Sequence, residues 1–168
     1  GFTGTLWFPL VAGFGALYHP NPLAPKGIAR LARTQRATIL LATPTFASAY
    51  HRRIEPEDFA SLRIAVVGAE RLSGELARAW EAKFGQALLE GYGTTECAPV
   101  VAVNLPGEEK EGSIGQPIPG VAVRIVDPET RAPRPLGEEG MLEVKGANVM
   151  KGYLGEPERT AEVLRDGW

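Results

Sequence analysis

Two short apolar runs, Ala-Thr-Ile-Leu-Leu-Ala at residues 37–42 and Arg-Ile-Ala-Val-Val-Gly at 63–68, constrain the fold most. Continuous apolar runs of this length are what strands of a parallel sheet need when both faces are covered. Stretches of helical length lie around them. Residues 25–36 place Ile28, Leu31 and Ala32 on one helical face. Thr43-Pro44-Thr45 can open a second helix with Thr43 or Thr45 near its cap. Residues 73–84 form a third, opened by Ser73, carrying Glu75 in the first turn and stopped by Gly85. A third strand at 87–89 runs into Gly91-Tyr92-Gly93. This alternation predicts the α/β class, with a parallel sheet flanked by helices. Upstream, residues 2–11 suit an apolar helix ended by 13–15, residues 16–19 a short strand, and Asn21-Pro22 a turn.

Beyond Asn104 the texture changes. Helical periodicity gives way to Pro/Gly punctuation and alternating runs at 121–126 and 141–145, which predict a small antiparallel, β-rich and barrel-like subdomain joined through 127–140. Pro157 suits the first turn of a final helix through about Leu164. The expected division is 1–103 for the α/β subdomain and 104–168 for an incomplete β-rich one.

A formal net charge of −2 gives no basic field for nucleic acid. The apolar opening at 2–16 is broken by Gly4, Pro9, Gly13 and Gly15, so it is no membrane span of the usual ~18 or more apolar residues. Cys97 is the one cysteine, which excludes an internal disulfide and suits a reducing, cytoplasmic setting. His19, His51 and Cys97 form no metal-ligand pattern. The chain opens on Gly1 and closes on Asp166-Gly167-Trp168, which reads as an internal piece of a longer protein.

Open α/β sheets bind ligands beyond the carboxyl ends of their strands. Three such ends carry distinctive loops: Thr43-Pro44-Thr45, Gly68-Ala69-Glu70 and residues 91–96. The segment 90–99, Glu-Gly-Tyr-Gly-Thr-Thr-Glu-Cys-Ala-Pro, is the richest in chemistry. Glycines around an aromatic ring allow close backbone approach and leave a flat stacking face. Adjacent hydroxyls can donate to phosphate oxygens, and the carboxylate beside them can hold Mg²⁺. The residues alone leave two readings open: a phosphate and aromatic-base site, or a tight turn with a helix cap.

The stretch Tyr92-Gly93-Thr94-Thr95-Glu96 resembles the Tyr-Gly-x-Thr-Glu motif of the adenylate-forming superfamily, which includes acyl-CoA synthetases, luciferases and peptide-synthetase adenylation domains. Residues 112–117 with Pro119-Gly120, and residues 140–153 with Pro157-Glu158 and Thr160, resemble the next two landmarks in the family's order. At finer grain, residues 90–103 and 41–46 resemble the acyl-acyl-carrier-protein synthetase and 2-acylglycerophosphoethanolamine acyltransferase branch. The resemblance implies an ATP- and Mg²⁺-dependent ligase that adenylates a long-chain fatty acid. The acyl group would pass to the thiol of CoA or acyl carrier protein, or to a lysophospholipid, and the parent would sit in the cytoplasm or at the inner face of the membrane.

The family roles carry over residue by residue. Tyr92 would stack on adenine, with Gly68, Ala69 and Glu70 as the other wall and Gly91, Gly93 and Thr94 beside the nucleotide. Thr95 would contact phosphate and Glu96 would bind Mg²⁺, the two forming the catalytic pair. Thr45, Val67, Gly93 and Ala98 would lie near the acyl chain. Plainer readings stand beside these: Gly68 and Gly91 ending strands, Val67 in the core, Glu70 capping a helix, Gln116 and Asn148 bonding to backbone, and 140–153 purely structural. The family's Ser/Thr/Gly-rich phosphate loop, its Thr-Gly-Asp motif and its C-terminal lysine domain do not occur in these residues, so the isolated chain is expected to be inactive. A competing Rossmann-like nucleotide-binding or structural module lacks its Gly-x-Gly-x-x-Gly spacing at 67–70.

Overall fold

The structure is a computed structural model and describes residues 2–168. The chain gathers into two compact units that interleave in sequence: Gly1–Tyr92 with Ala102–Gln116, and Gly93–Val101 with Pro117–Trp168. The change of texture near Asn104 therefore does not mark the spatial boundary, because residues 93–101 cluster with the later segment.

The first unit is built on parallel strands β1 (Ile39–Ala42), β2 (Ile64–Val67) and β3 (Leu88–Gly93). The sheet order is β1-β2-β3-β4-β5, with β4 at Val100–Val103 and β5 at Gln116–Pro117. Val67 is paired with Ala42 on one side and Glu90 on the other, so β1 and β2 end level while β3 continues past them to Gly93. Helices α2 (Pro25–Gln35) and α4 (Gly74–Phe84) follow the expected spans, and α3 (Pro44–Arg53) opens at the expected Thr43-Pro44-Thr45. Thr43 caps α3 by accepting from the Phe46 N–H at 3.3 Å, Ser73 caps α4 by accepting from the Leu76 N–H at 3.2 Å, and Gly85 ends α4 at φ 71°. The core centres on Tyr50, Ile54, Phe59, Leu62 and Trp80. The Trp80 and Phe84 rings lie 4.5 Å apart by centroid. On α2 it is Pro25, Ala29 and Ala32 that are buried, with Ile28 and Leu31 half-buried, because a small-residue face allows close approach.

Several expectations need correction. β1 is not buried on both faces: Leu40 and Ala42 pack on the core, but Ile39 and Leu41 stay 40% and 46% exposed. Successive strand residues point to opposite faces, and the helical layer covers one of them. Residues 16–19 are irregular rather than a strand. Upstream, a π-turn at Thr3–Trp7 leads into α1 (Phe8–Ala12), ended by left-handed Gly13. The Tyr18 hydroxyl donates to the Thr5 carbonyl at 2.5 Å, so Tyr18 is tied to the upstream turn by a side-chain bond and not by a strand ladder. Finally, β3 does not stop at Leu89 but continues through Gly93, so Gly91, Tyr92 and Gly93 are strand residues.

The second unit holds the antiparallel pair β6 (Val121–Val126) and β7 (Met141–Gly146), in register from Val121 with Gly146 to Val126 with Met141. It is a two-stranded ribbon and not a barrel, since among the described residues no further strand extends it. Asp127 shapes the connection by accepting from the N–H groups of Glu129 and Thr130 at 2.9 and 2.8 Å. Helix α5 (Pro157–Val163) closes the unit.

Candidate functional site

In the first unit, the level ends of β1 and β2 and the last residues of β3 bring Thr45, Gly68, Ala69, Glu70, Gly91 and Tyr92 to one edge. The Gly68 N–H donates to the Ala42 carbonyl at 3.2 Å. A Cβ at position 68 would lie 3.1 Å from the Gly91 carbonyl oxygen, so the two strand ends approach too closely for a larger residue to fit without a shift. Ala69 adopts a left-handed backbone at φ 69°. The Glu70 carboxylate accepts from the Thr45 N–H at 3.2 Å and the Thr45 hydroxyl at 2.6 Å. Thr45 lies in the first turn of α3, so Glu70 satisfies free donors at that helix start. Tyr92 is 36% exposed and leaves its ring accessible. Val67 is fully buried within the core cluster, in the packing role that its apolar side chain suggested.

Sequence reasoning missed Glu90 and Asn104. Glu90 accepts from the Leu72 N–H at 3.2 Å through its carboxylate, and its carbonyl takes both the backbone and side-chain N–H of Asn104 at 3.0 Å. These bonds hold the loop after Gly68 and the end of β4 to β3. A buried asparagine after an apolar run was the one available signal.

In the second unit, Gly93 leads into Thr94 and a 3₁₀ turn at Thr95–Cys97, which ends at left-handed Ala98 (φ 54°). A Cβ at Gly93 would overlap the Pro99 carbonyl oxygen, so the chain's own backbone requires a glycine there. The Thr94 and Thr95 hydroxyls make no hydrogen bond among the described residues. Glu96 is gripped twice from one segment: its carbonyl accepts from the Met150 N–H at 2.7 Å, and its carboxylate Oε1 accepts from the Tyr153 hydroxyl at 2.8 Å. Asn148 Nδ2 donates to the Cys97 and Val100 carbonyls, each at 3.0 Å. The Tyr153 N–H donates to Thr160 Oγ1 at 2.9 Å, and the Arg159 guanidinium lies 4.5 Å from the Tyr153 ring centre.

The Tyr153 hydrogen bond and the residue's own backbone N–H, with a lesser contribution from the Arg159 charge, hold the Glu96 carboxyl below its ordinary range against the opposing effect of burial. The same bond pushes the Tyr153 phenol up. Glu96 is thus an anion at neutral pH beside two free hydroxyls. Asn148 bonds to backbone as its type suggested, whereas Gln116 instead donates to the Glu108 carboxylate at 2.9 Å. Residues 140–153 do more than build a hairpin, because Asn148, Met150 and Tyr153 hold the turn that bears Glu96.

The oxygen donors Thr94, Thr95 and Glu96 suit a hard cation such as Mg²⁺, which keeps few protein ligands and shares the rest with phosphate oxygens. Among the described residues no group of three or more His, Cys, Asp or Glu side chains could hold a metal ion by itself. No described helix is long and apolar enough to cross a membrane.

A family model described as AMP-binding enzyme matches residues 1–154. The chain is 38% identical to a feruloyl-CoA synthase from an Amycolatopsis species over 98% of its own length and 34% of that protein. It is 41% identical to a long-chain-fatty-acid–CoA ligase from Salmonella typhimurium over 70% of its own length and 21% of that protein. Among solved structures it superposes on ATP-bound MatB from Rhodopseudomonas palustris with a TM-score of 0.87 and 35% identity, covering 99% of this chain and 33% of that one. The chain thus spans about a third or less of the proteins it matches.

Proposed function

The chain belongs to the AMP-binding enzyme family, and on that premise we propose that the full-length protein is a carboxylate–CoA ligase working through an acyl-adenylate. A carboxylate oxygen of the acid attacks the α-phosphorus of ATP, and the bond to the leaving pyrophosphate breaks. The CoA thiol then attacks the acyl carbonyl and AMP leaves.

The observation that carries this reading is the segment Thr94–Glu96, where two unengaged hydroxyls precede a carboxylate that accepts from the Tyr153 hydroxyl. Thr95 donates to the phosphate of the adenylate. Glu96 holds Mg²⁺, which when bound neutralises the phosphate oxygens. Placed donors and charges of this kind supply much of the rate in such reactions. Tyr92 offers its accessible face to adenine, with Gly68, Ala69 and Glu70 contributing mainly backbone, and Gly91 and Gly93 keep the strand slim beside the nucleotide. Thr45 and Ala98 stay with the acyl group in this reading; Val67 supports that region from the core.

For the acid we favour a long-chain fatty acid, supported by the 41% identity to the Salmonella ligase. The feruloyl-CoA synthase match extends over more of the chain and makes an aromatic acid the second reading. CoA is named in both relatives; neither is named for acyl carrier protein or a lysophospholipid, so CoA is the acceptor proposed. A cytoplasmic location accords with the single cysteine, which is buried and unpaired.

The test is product formation by the full-length protein with ATP, Mg²⁺ and CoA, offering palmitate and ferulate in parallel. Palmitoyl-CoA forming faster than feruloyl-CoA is the expected result. Faster feruloyl-CoA would replace the acid, and no AMP release with either acid would overturn the ligase reading.

A further inference from the structure

The hydroxyl of Tyr153 reaches 57 residues back along the chain to bond Glu96 Oε1 at 2.8 Å, within the second unit. No other side chain among the described residues hydrogen-bonds that carboxylate. A glutamate in a short 3₁₀ turn has three rotatable bonds, and a part-exposed carboxylate samples several rotamers unless something holds it. Tyr153 is itself held from three sides. Its N–H is anchored on Thr160 Oγ1 at 2.9 Å, its ring carries the Arg159 guanidinium at 4.5 Å, and Gly152 before it (φ 142°) leaves room for Thr160 where a Cβ would crowd that side chain. The neighbouring Met150 N–H fixes the Glu96 carbonyl at 2.7 Å, and Asn148 fixes the carbonyls of Cys97 and Val100. One segment thus sets both the backbone of the turn and the orientation of its acid.

We propose that Tyr153 is a positioning residue for the cation site, holding one oxygen of Glu96 so that the carboxylate is presented in a single orientation to a divalent ion shared with the phosphates. The inference rests on the cation reading of Glu96 given above. Partners that orient a metal-binding side chain matter for affinity as well as rate, with losses of roughly 10–100-fold when they are removed. The Tyr153 hydroxyl needs to touch neither substrate nor metal to act this way.

The experiment uses the full-length protein and four forms: wild type, Tyr153→Phe, Glu96→Gln and the double variant. Tyr153→Phe keeps the ring on Arg159 and the backbone bond to Thr160, and thermal melts report whether each form folds. Mn²⁺ serves as the probe, its binding followed by electron paramagnetic resonance with a non-hydrolysable ATP analogue present. The Mg²⁺ concentration giving half-maximal adenylation is measured alongside. Tyr153→Phe is expected to weaken Mn²⁺ binding roughly 10-fold, to raise the half-saturating Mg²⁺ in parallel, and to add nothing in the Glu96→Gln background. Unchanged Mn²⁺ binding in Tyr153→Phe, or an equal further loss in the double variant, would overturn the inference. If Glu96→Gln itself leaves Mn²⁺ binding unchanged, the underlying cation reading fails instead. Should Tyr153→Phe not fold, Thr160→Val, which removes the anchor of the Tyr153 N–H together with the Thr160 hydroxyl's bond to the Glu156 carbonyl, is expected to weaken binding in the same direction, and wild-type binding there counts against the proposal.

Discussion

At position 93 the first carbon of any side chain would overlap the Pro99 carbonyl oxygen, whereas at position 68 it would lie 3.1 Å from the Gly91 carbonyl, a distance relieved by a few tenths of an ångström. The same substitution should therefore act differently at the two glycines. Gly93→Ala is expected to cost at least about 2 kcal/mol and Gly68→Ala under about 1 kcal/mol, since the cost of overpacking follows how far rigid atoms must move. Urea denaturation of the full-length variants measures both, and equal losses would contradict the close approach at Gly93. Glu70 gives a second residue-scale prediction. Its carboxylate accepts from the Thr45 N–H and hydroxyl at the start of α3, so Glu70→Ala should lower stability by about 1 kcal/mol, as loss of a helix cap does. If stability is untouched while nucleotide affinity drops, the capping role is wrong and the adenine wall is its whole function.

The β6–β7 ribbon depends on one acid. Glu143 on β7 is 8% exposed and pairs with Arg124 at 2.6 Å and with Arg131. Burial pushes its carboxyl up, but the hydrogen bonds and charges of the two arginines outweigh burial and hold it below its ordinary range. A carboxyl lower in the folded than in the unfolded chain adds stability that is present above the unfolded value of about 4.3 and is lost as pH falls through the folded value. Amides of residues 121–146 should thus lose hydrogen-exchange protection in the wild type as the pH falls below about 4.3. Glu143→Gln should cost the ribbon about 1–3 kcal/mol at pH 7, with a difference from wild type that shrinks in acid. A difference independent of pH would show that the carboxylate's charge is not what the arginines hold.

For the chain as a whole, the residues present set what it can catalyse. The segment 94–96 offers two hydroxyls and a carboxylate, but these 168 residues include no Ser/Thr/Gly-rich phosphate loop and no Thr-Gly-Asp ribose site of the family pattern. Loss of even one positioned donor can cost about 10²–10³ in rate. ATP–pyrophosphate exchange with palmitate is therefore expected to stay at background for the 168-residue chain and to appear with the full-length protein. Exchange by the short chain alone would show that the groups named here suffice.

Local pattern determined much of this molecule. The spans of α2 and α4, the start of α3, the caps at Thr43 and Ser73, the stop at Gly85 and the strand character of residues 64–67 follow from periodicity and capping chemistry within a few residues of chain. The motif at 92–96 pointed to the family without any coordinates. What the sequence could not yield depends on which distant groups meet in space. Spacing along the chain does not reveal that Gly93 faces the Pro99 carbonyl, that Glu70 reaches the start of α3, or that Tyr153 lies on Glu96. The exposed face of β1 was hidden for the same reason: an apolar run shows that a strand can be covered on both sides, and only packing decides whether it is.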